Sequence, residues 1–354
     1  MSNLDTATED DVVSDRPRDA GVVEVLTPRD VPLGGPRAMT VRRTLPQKDR
    51  SLIGAWCFLD HYGPDDVNES GGMVVPPHPH TGLQTVSWLF AGAIEHRDSS
   101  GGHAIVRPGE LNLMTAGRGI QHSEVSVGAV PGDAGATDAS PDAGNIGGQT
   151  VGTTVDGDTA NVLHGVQLWT ALPDTARHGE PFFERVVPPV VEHDGATVSV
   201  FLGSLLGQTS AATTFSPLVG AQIDLPPNTE ILVPVDPRFE HGVLLDAGSI
   251  AVDDLPVERD HLAYRAPGAD AIVLSSGDEP TRVVLIGGEP LGEQIVMWWN
   301  FIGRSHDEVV AYREQWQREV IGGADAAGRY GSTVYDGPAL PAPELPTVRL
   351  RARG

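Results

Sequence analysis

Apolar positions come in short runs, most of them broken by turn chemistry within about ten residues. Val22-Val23-Glu24-Val25-Leu26, Met39 to Leu45 and Ile53 to His61 open the series. Thr85-Val86-Ser87-Trp88-Leu89-Phe90 follows and stops at Ala91-Gly92. Ala93 to Asp98 turns at Ser99-Ser100-Gly101-Gly102, and Ala104-Ile105-Val106 turns at Pro108-Gly109-Glu110. The runs resume at Val162 to Trp169. They continue through Thr197 to Leu202, Ala221 to Leu225, Glu230 to Val235, Gly242 to Leu245, Ser249 to Val252, Leu262 to Tyr264, Ala271 to Leu274 and Thr281 to Ile286. Short strands with tight turns predict an all-β chain of antiparallel sandwich or barrel type, not an alternation of strand and helix. Two halves of similar grain predict a duplicated barrel.

One helix interrupts the pattern. Ser305 with Glu308 three residues on forms a capping box, and Val309, Tyr312, Trp316 and Val320 make an apolar stripe that ends at Gly322-Gly323. Trp298, Trp299 and Phe301, just before it, read as core or inter-barrel packing. Residues 1–20 are polar and aperiodic and predict a disordered tail. Residues 128–160, built of Gly, Ala, Asp, Thr and Pro, predict a flexible insertion. The division is then a first barrel over 21–127, a second over 161–321, and an extended tail over 322–354.

Composition narrows the setting. The formal net charge of -24 over 354 residues disfavours a nucleic-acid backbone or an anionic membrane as a direct partner. Cys57 is the single cysteine, so no intrachain disulfide is possible and a cytoplasmic setting is expected. No apolar run is long enough for a membrane span, and Met1 to Asp19 lacks the pattern of a signal peptide.

The candidate chemistry lies between Pro76 and Glu124. His78 and His80 are two apart, as are His122 and Glu124, and in a strand such pairs share a face. Neighbouring strands would bring them together as three imidazoles and one carboxylate. A lone His-x-His pair is more often two solvent-facing side chains; the second pair favours a metal. Imidazoles with one carboxylate suit Fe, Mn, Co, Ni or Cu more than Ca or Mg, and leave open positions for catalysis. Gln84, four beyond His80, is expected on the same face beside the metal. Arg118, between two glycines, is expected near the ligands, tied to backbone carbonyls. His61, His96, His103 and His164 read as hydrogen-bonded residues, with His61 lining the pocket. His241 and His261 stand alone, so the second barrel is expected to carry no metal. No P-loop or nucleophile elbow is present.

This text resembles the pirin family of the cupin superfamily. The resemblance rests on His78-Pro79-His80-Thr81-Gly82, Glu95-His96-Arg97-Asp98-Ser99, Arg107-Pro108-Gly109-Glu110 and Met114 to Glu124, with Leu163-His164-Gly165-Val166-Gln167-Leu168-Trp169 further on. It implies a bicupin of two antiparallel β-barrels with a single iron, Fe(II), in the first, ligated by His78, His80, His122 and Glu124. It implies either a quercetin 2,3-dioxygenase-like enzyme using O2, with Glu124 as a candidate base, or a redox-sensitive regulator that binds a protein partner. Many relatives carry glutamate where this chain has Gln84.

Overall fold

The computed structural model describes residues 2–3, 23–34, 39–127 and 161–354. The expected insertion over 128–160 and most of the expected tail over 1–20 lie outside them. Within that tail Ser2–Asn3 forms a two-residue strand against Leu33 and Gly34.

The chain is all-β with two cupin-like units, each built from a large sheet facing a four-stranded one. In the first unit the large sheet runs in the order Ser2–Asn3, Arg29–Gly34, Thr40–Leu45, Trp56–Asp66, Val162–Ala171, Leu83–Ala91, Leu111–Thr115, Phe182–Val186. The facing sheet is Val74–His80, Ile120–Ser126, Ile94–Asp98, His103–Val106. In the second unit the large sheet runs Val190–His193, Ala196–Leu205, Leu218–Leu225, Thr281–Gly288, Glu240–Ala247, Leu262–Arg265, Val23–Leu26, with Gln208–Thr209 off that path. Its partner is Glu230–Pro234, Ala271–Ser276, Ile250–Val252, Leu255–Val257. The sheets are opposed layers rather than closed barrels.

The strands exchange across the expected boundary. Val23–Leu26, read as the start of the first barrel, pairs with Leu262–Arg265 of the second. Val162–Ala171, read as opening the second barrel, and Phe182–Val186, a strand not foreseen within that range, pair into the first. Local rhythm finds a strand but not its partner, which is chosen by distant sequence.

Along Leu83–Ala91 the two faces have different jobs. Leu83 and Leu89 pack in the first unit's own interior, whereas Val86 and Trp88 join a core shared with Phe201, Leu218, Leu244 and Ile286 of the second. A strand buried on both faces reads as a continuous apolar run, which is why Thr85 to Phe90 and Val162 to Trp169 stand out in the sequence. Indole donors stitch the seam: Trp56 Nε1 donates to the Val219 and Gly287 carbonyls at 3.2 and 3.0 Å, and Trp88 Nε1 to Gln222 Oε1 at 2.8 Å. Glu240 accepts from the Gly54 amide at 2.7 Å and from the Tyr264 hydroxyl at 2.8 Å.

The helix His306–Trp316 starts as read, with Ser305 Oγ accepting from the Glu308 amide at 3.2 Å. It continues as a π-helical turn, Gln317–Ile321. Val309, Tyr312 and Trp316 bury against Trp298, Trp299, Phe301 and Tyr330. The tail beyond has no regular elements but is tied down: the Leu340 amide donates to the Pro77 carbonyl at 2.8 Å, and Gln121 Nε2 donates to the Gly331 carbonyl at 2.5 Å. No helix among the described residues is long and apolar enough to cross a membrane.

Candidate metal centre

Val74–His80 carries prolines at 76, 77 and 79, which an interior strand could not accommodate; it is the edge of its sheet. Its neighbour, Ile120–Ser126, runs antiparallel with Ile120 opposite His80 and His122 opposite His78. The register then shifts between His122 and Glu124, which lies across from Val75. The two pairs found in the sequence therefore sit side by side, with all four side chains fully buried.

His80 Nε2 is 3.1 Å from His122 Nε2, and the His78 ring lies 4.3 Å from the His122 ring. The donor atoms of His78, His80 and His122 lie within 4.8 Å of one another. Glu124 groups with His122 and His96 by the same measure, so His122 is the shared corner.

Hydrogen bonds set which nitrogen of each ring is free. His78 Nδ1 donates to the Pro76 carbonyl at 2.9 Å, leaving its buried Nε2 with a lone pair and no protein partner among the described residues. His122 Nδ1 faces His96 Nδ1 at 3.3 Å, and His96 Nε2 faces Asp98 Oδ2 at 3.0 Å. The Asp98 carboxylate accepts a hydrogen bond from His96 Nε2–H. His96 Nδ1 can then accept from His122, whose Nε2 lone pair points at His80. This carboxylate–imidazole backing is how metal-binding histidines are oriented. Burial pushes the His78 imidazole down to about 3 and the His80 and His122 rings well below the ordinary histidine range. The three rings are neutral, which is the ligating form.

Three expectations need correction. Gln84 does not face the ligands. The chain turns between sheets at Thr81-Gly82, where Gly82 has φ +69°, so the alternation counted from His80 is reset. Gln84 points to the seam with the second unit: it donates to Thr115 Oγ1 at 2.9 Å and to the Thr213 carbonyl at 3.1 Å, and accepts from Thr170 Oγ1 at 3.2 Å. Arg118 also points away, its half-exposed guanidinium forked onto Glu180 at 2.9 and 3.1 Å. His61 does not line this site either; with His164 it faces the second unit. His103 is exposed and paired with Glu95 at 2.8 Å.

Sequence reasoning missed an inner polar row. Ser87 lies opposite both Asn112 and Gln167, and Gln167 lies opposite Asp60. Ser87 Oγ donates to Gln167 Oε1 at 2.9 Å and lies 3.5 Å from Glu124 Oε1. Both Asn112 amide atoms, Gln167 Nε2 and the Tyr62 hydroxyl are buried without a protein partner among the described residues. Burial, and then the nearby Glu124 charge, pushes the Tyr62 hydroxyl well up. Thr85 and Ser87, polar at alternate positions in an apolar run, were the available signal. Trp169 edges onto His80 with ring centres 5.1 Å apart and stacks on Phe58 at 3.9 Å.

Two facing-sheet units with a His-rich centre in the first define a two-domain cupin protein. The comparisons agree: residues 38–139 match the Pirin family and residues 220–322 its Pirin C-terminal cupin domain. A Pseudomonas aeruginosa protein provisionally named quercetin 2,3-dioxygenase is 35% identical over 349 residues, 98% of each chain. A Caulobacter vibrioides pirin-like protein is 31% identical over 283 residues, 78% of this chain and 88% of its own. The crystal structure of an Acinetobacter baumannii quercetin 2,3-dioxygenase, 35% identical, superposes with a TM-score of 0.77 over 93% of this chain and 97% of its own. The chain belongs to the pirin family.

Proposed function

We propose that this chain is a metal-dependent dioxygenase of flavonol-like, quercetin-type substrates. Its ion would be one divalent transition metal, Fe(II) first, held by His78, His80, His122 and Glu124. The observation that carries the reading is the buried, neutral three-imidazole cluster, with the His78 Nε2 lone pair unclaimed among the described residues. Such a donor set fits a transition metal and is costly to leave unpaired. The names of the 35%-identical relatives support the substrate class.

When bound, the ion supplies Lewis acidity and open positions at which a substrate oxygen and O2 can meet. The chain's own residues do the rest. The Asp98–His96 pair holds the His122 tautomer. Tyr62, Asn112 and Gln167 offer polar atoms with no partner among the described residues to the hydroxyl groups of a polyphenol. The stacked Phe58–Trp169 wall gives its aromatic rings an apolar face and keeps water out. Glu124, with Ser87 beside one oxygen, is placed to take the substrate's hydroxyl proton.

The test is oxygen uptake coupled to loss of flavonol absorbance by Fe(II)-loaded protein. His80→Ala is expected to lose both metal and turnover while its circular dichroism stays β-type. Fully loaded wild-type protein that leaves quercetin intact would overturn the dioxygenase reading.

A further inference from the structure

Besides the first-unit cluster, a second group of ligating side chains lies at the seam of the two units. His61 comes from Trp56–Asp66, His164 from Val162–Ala171, and Asp246 from Glu240–Ala247 of the second unit. His61 Nε2 is 2.8 Å from Asp246 Oδ1, His164 Nε2 is 2.7 Å from the same oxygen, and the two nitrogens are 3.2 Å apart. Ligands about 2.0–2.2 Å from one ion, at right angles to one another, stand about 3 Å apart. The triangle has the size of one face of a coordination polyhedron.

Strand register and neighbouring charge shape it. His164 sits where the strand register slips against both neighbours, and Asp246 where it slips against Thr281–Gly288. Bulges of this kind re-aim side chains and cluster at sites. Asp260 Oδ1 stands 2.8 Å from His61 Nδ1 as a charged neighbour, without the geometry of a hydrogen bond. Arg282 Nη1 lies 3.3 Å from Asp246 Oδ2, so the other oxygen is the one turned to the histidines. His61 and Asp246 are fully buried while the His164 side chain keeps 11% of its surface, which gives an ion a way in.

We propose that His61, His164 and Asp246 form a second divalent transition-metal site that clamps the two units together. Two imidazoles and a carboxylate suit Zn²⁺, Co²⁺, Ni²⁺ or Fe²⁺ over Ca²⁺ or Mg²⁺. Phe90 packs edge-on to the His164 ring at 5.0 Å, a wall better suited to a structural ion than to substrate entry. The second unit alone supplies one ligand, so the site exists only when the halves are docked.

The test uses full-length protein stripped with a chelator and then titrated with Co²⁺ or Zn²⁺, with metal content measured after dialysis. Wild type should hold two equivalents, His80→Ala one, and His80→Ala combined with His164→Gln or Asp246→Asn none. Asp246→Asn alone should hold one equivalent and show a smaller metal-dependent rise in melting temperature than wild type. Asp246→Asn keeps the side-chain shape, and circular dichroism checks the folding of every variant. Wild type holding one equivalent, or two equivalents persisting in Asp246→Asn, would overturn the site. The first result would leave a proton-bridged His–Asp contact in its place.

Discussion

Gln84 shows how far residue-level reading reaches. Its strand and its burial were legible, but its direction was not, because one glycine turn between sheets resets the alternation. Its amide now has a role at the seam: the nitrogen donates to a hydroxyl and a carbonyl, and the oxygen accepts from Thr170. Gln84→Glu would place a carboxylate oxygen against the Thr213 carbonyl. Unpaired buried acceptors cost about 1–3 kcal/mol, so thermal or urea unfolding should show a loss of that order, with metal content unchanged. His96 was read as a hydrogen-bonded histidine and is one, but its partner is a proposed ligand. His96→Ala should weaken metal binding by about 10–100-fold. His96→Gln, whose amide oxygen can accept from His122 Nδ1, should recover part of that loss. Competitive chelator titration reads both; equal affinity in wild type and His96→Ala would reduce His96 to packing against Phe183. The four proposed ligands were legible because a two-residue spacing survives any choice of neighbour. The polar row was not, since Asn112 and Gln167 meet Ser87 only through pairing across strands.

At the scale of elements, turn chemistry was the reliable signal and strand partnership the unreliable one. The helix cap at Ser305 is local and was found; so were most strands of the second unit. Phe182–Val186 and Val190–His193 were missed, being short, half-exposed and flanked by prolines rather than by an apolar rhythm. The turn that matters most is Thr81-Gly82. A Cβ on Gly82 would stand 2.5 Å from the Ile302 carbonyl oxygen, in a backbone conformation costly for any L side chain. The Ile302 amide also donates to the Thr81 carbonyl at 3.0 Å, which pins the strand end carrying His80 to the Phe301–Gly303 strand. Gly82→Ala should therefore cost more than about 1–2 kcal/mol from the left-handed conformation alone. It should also lower metal occupancy by shifting His80. Chemical denaturation with metal analysis on the same samples checks both, and an unchanged midpoint would mean the turn relaxes freely.

At the scale of the molecule, the two units are not separable along the sequence. The family match to residues 38–139 invites a fragment ending near 160, and the division read from rhythm does the same. That fragment would lack Val162–Ala171, which lies between Trp56–Asp66 and Leu83–Ala91 in the large sheet. Leu163, Val166, Leu168 and Trp169 on it are fully buried. At about 1.5–3 kcal/mol for each large apolar side chain, their loss rivals the whole stability of a typical domain, about 5–15 kcal/mol. Residues 1–160 should show no cooperative unfolding transition and retain no metal. Extending the fragment to 187 restores this strand and Phe182–Val186, yet bares Trp56, Val86, Trp88 and Leu168, which pack on the second unit. Residues 1–187 should therefore aggregate alone. Co-expressed with 188–354 they should be recovered as a soluble complex, aided by Val23–Leu26 in the other half's sheet. Size-exclusion chromatography and denaturation curves of the three preparations decide it. A monomeric, cooperatively folding 1–160 would show that the first unit closes without its exchanged strand.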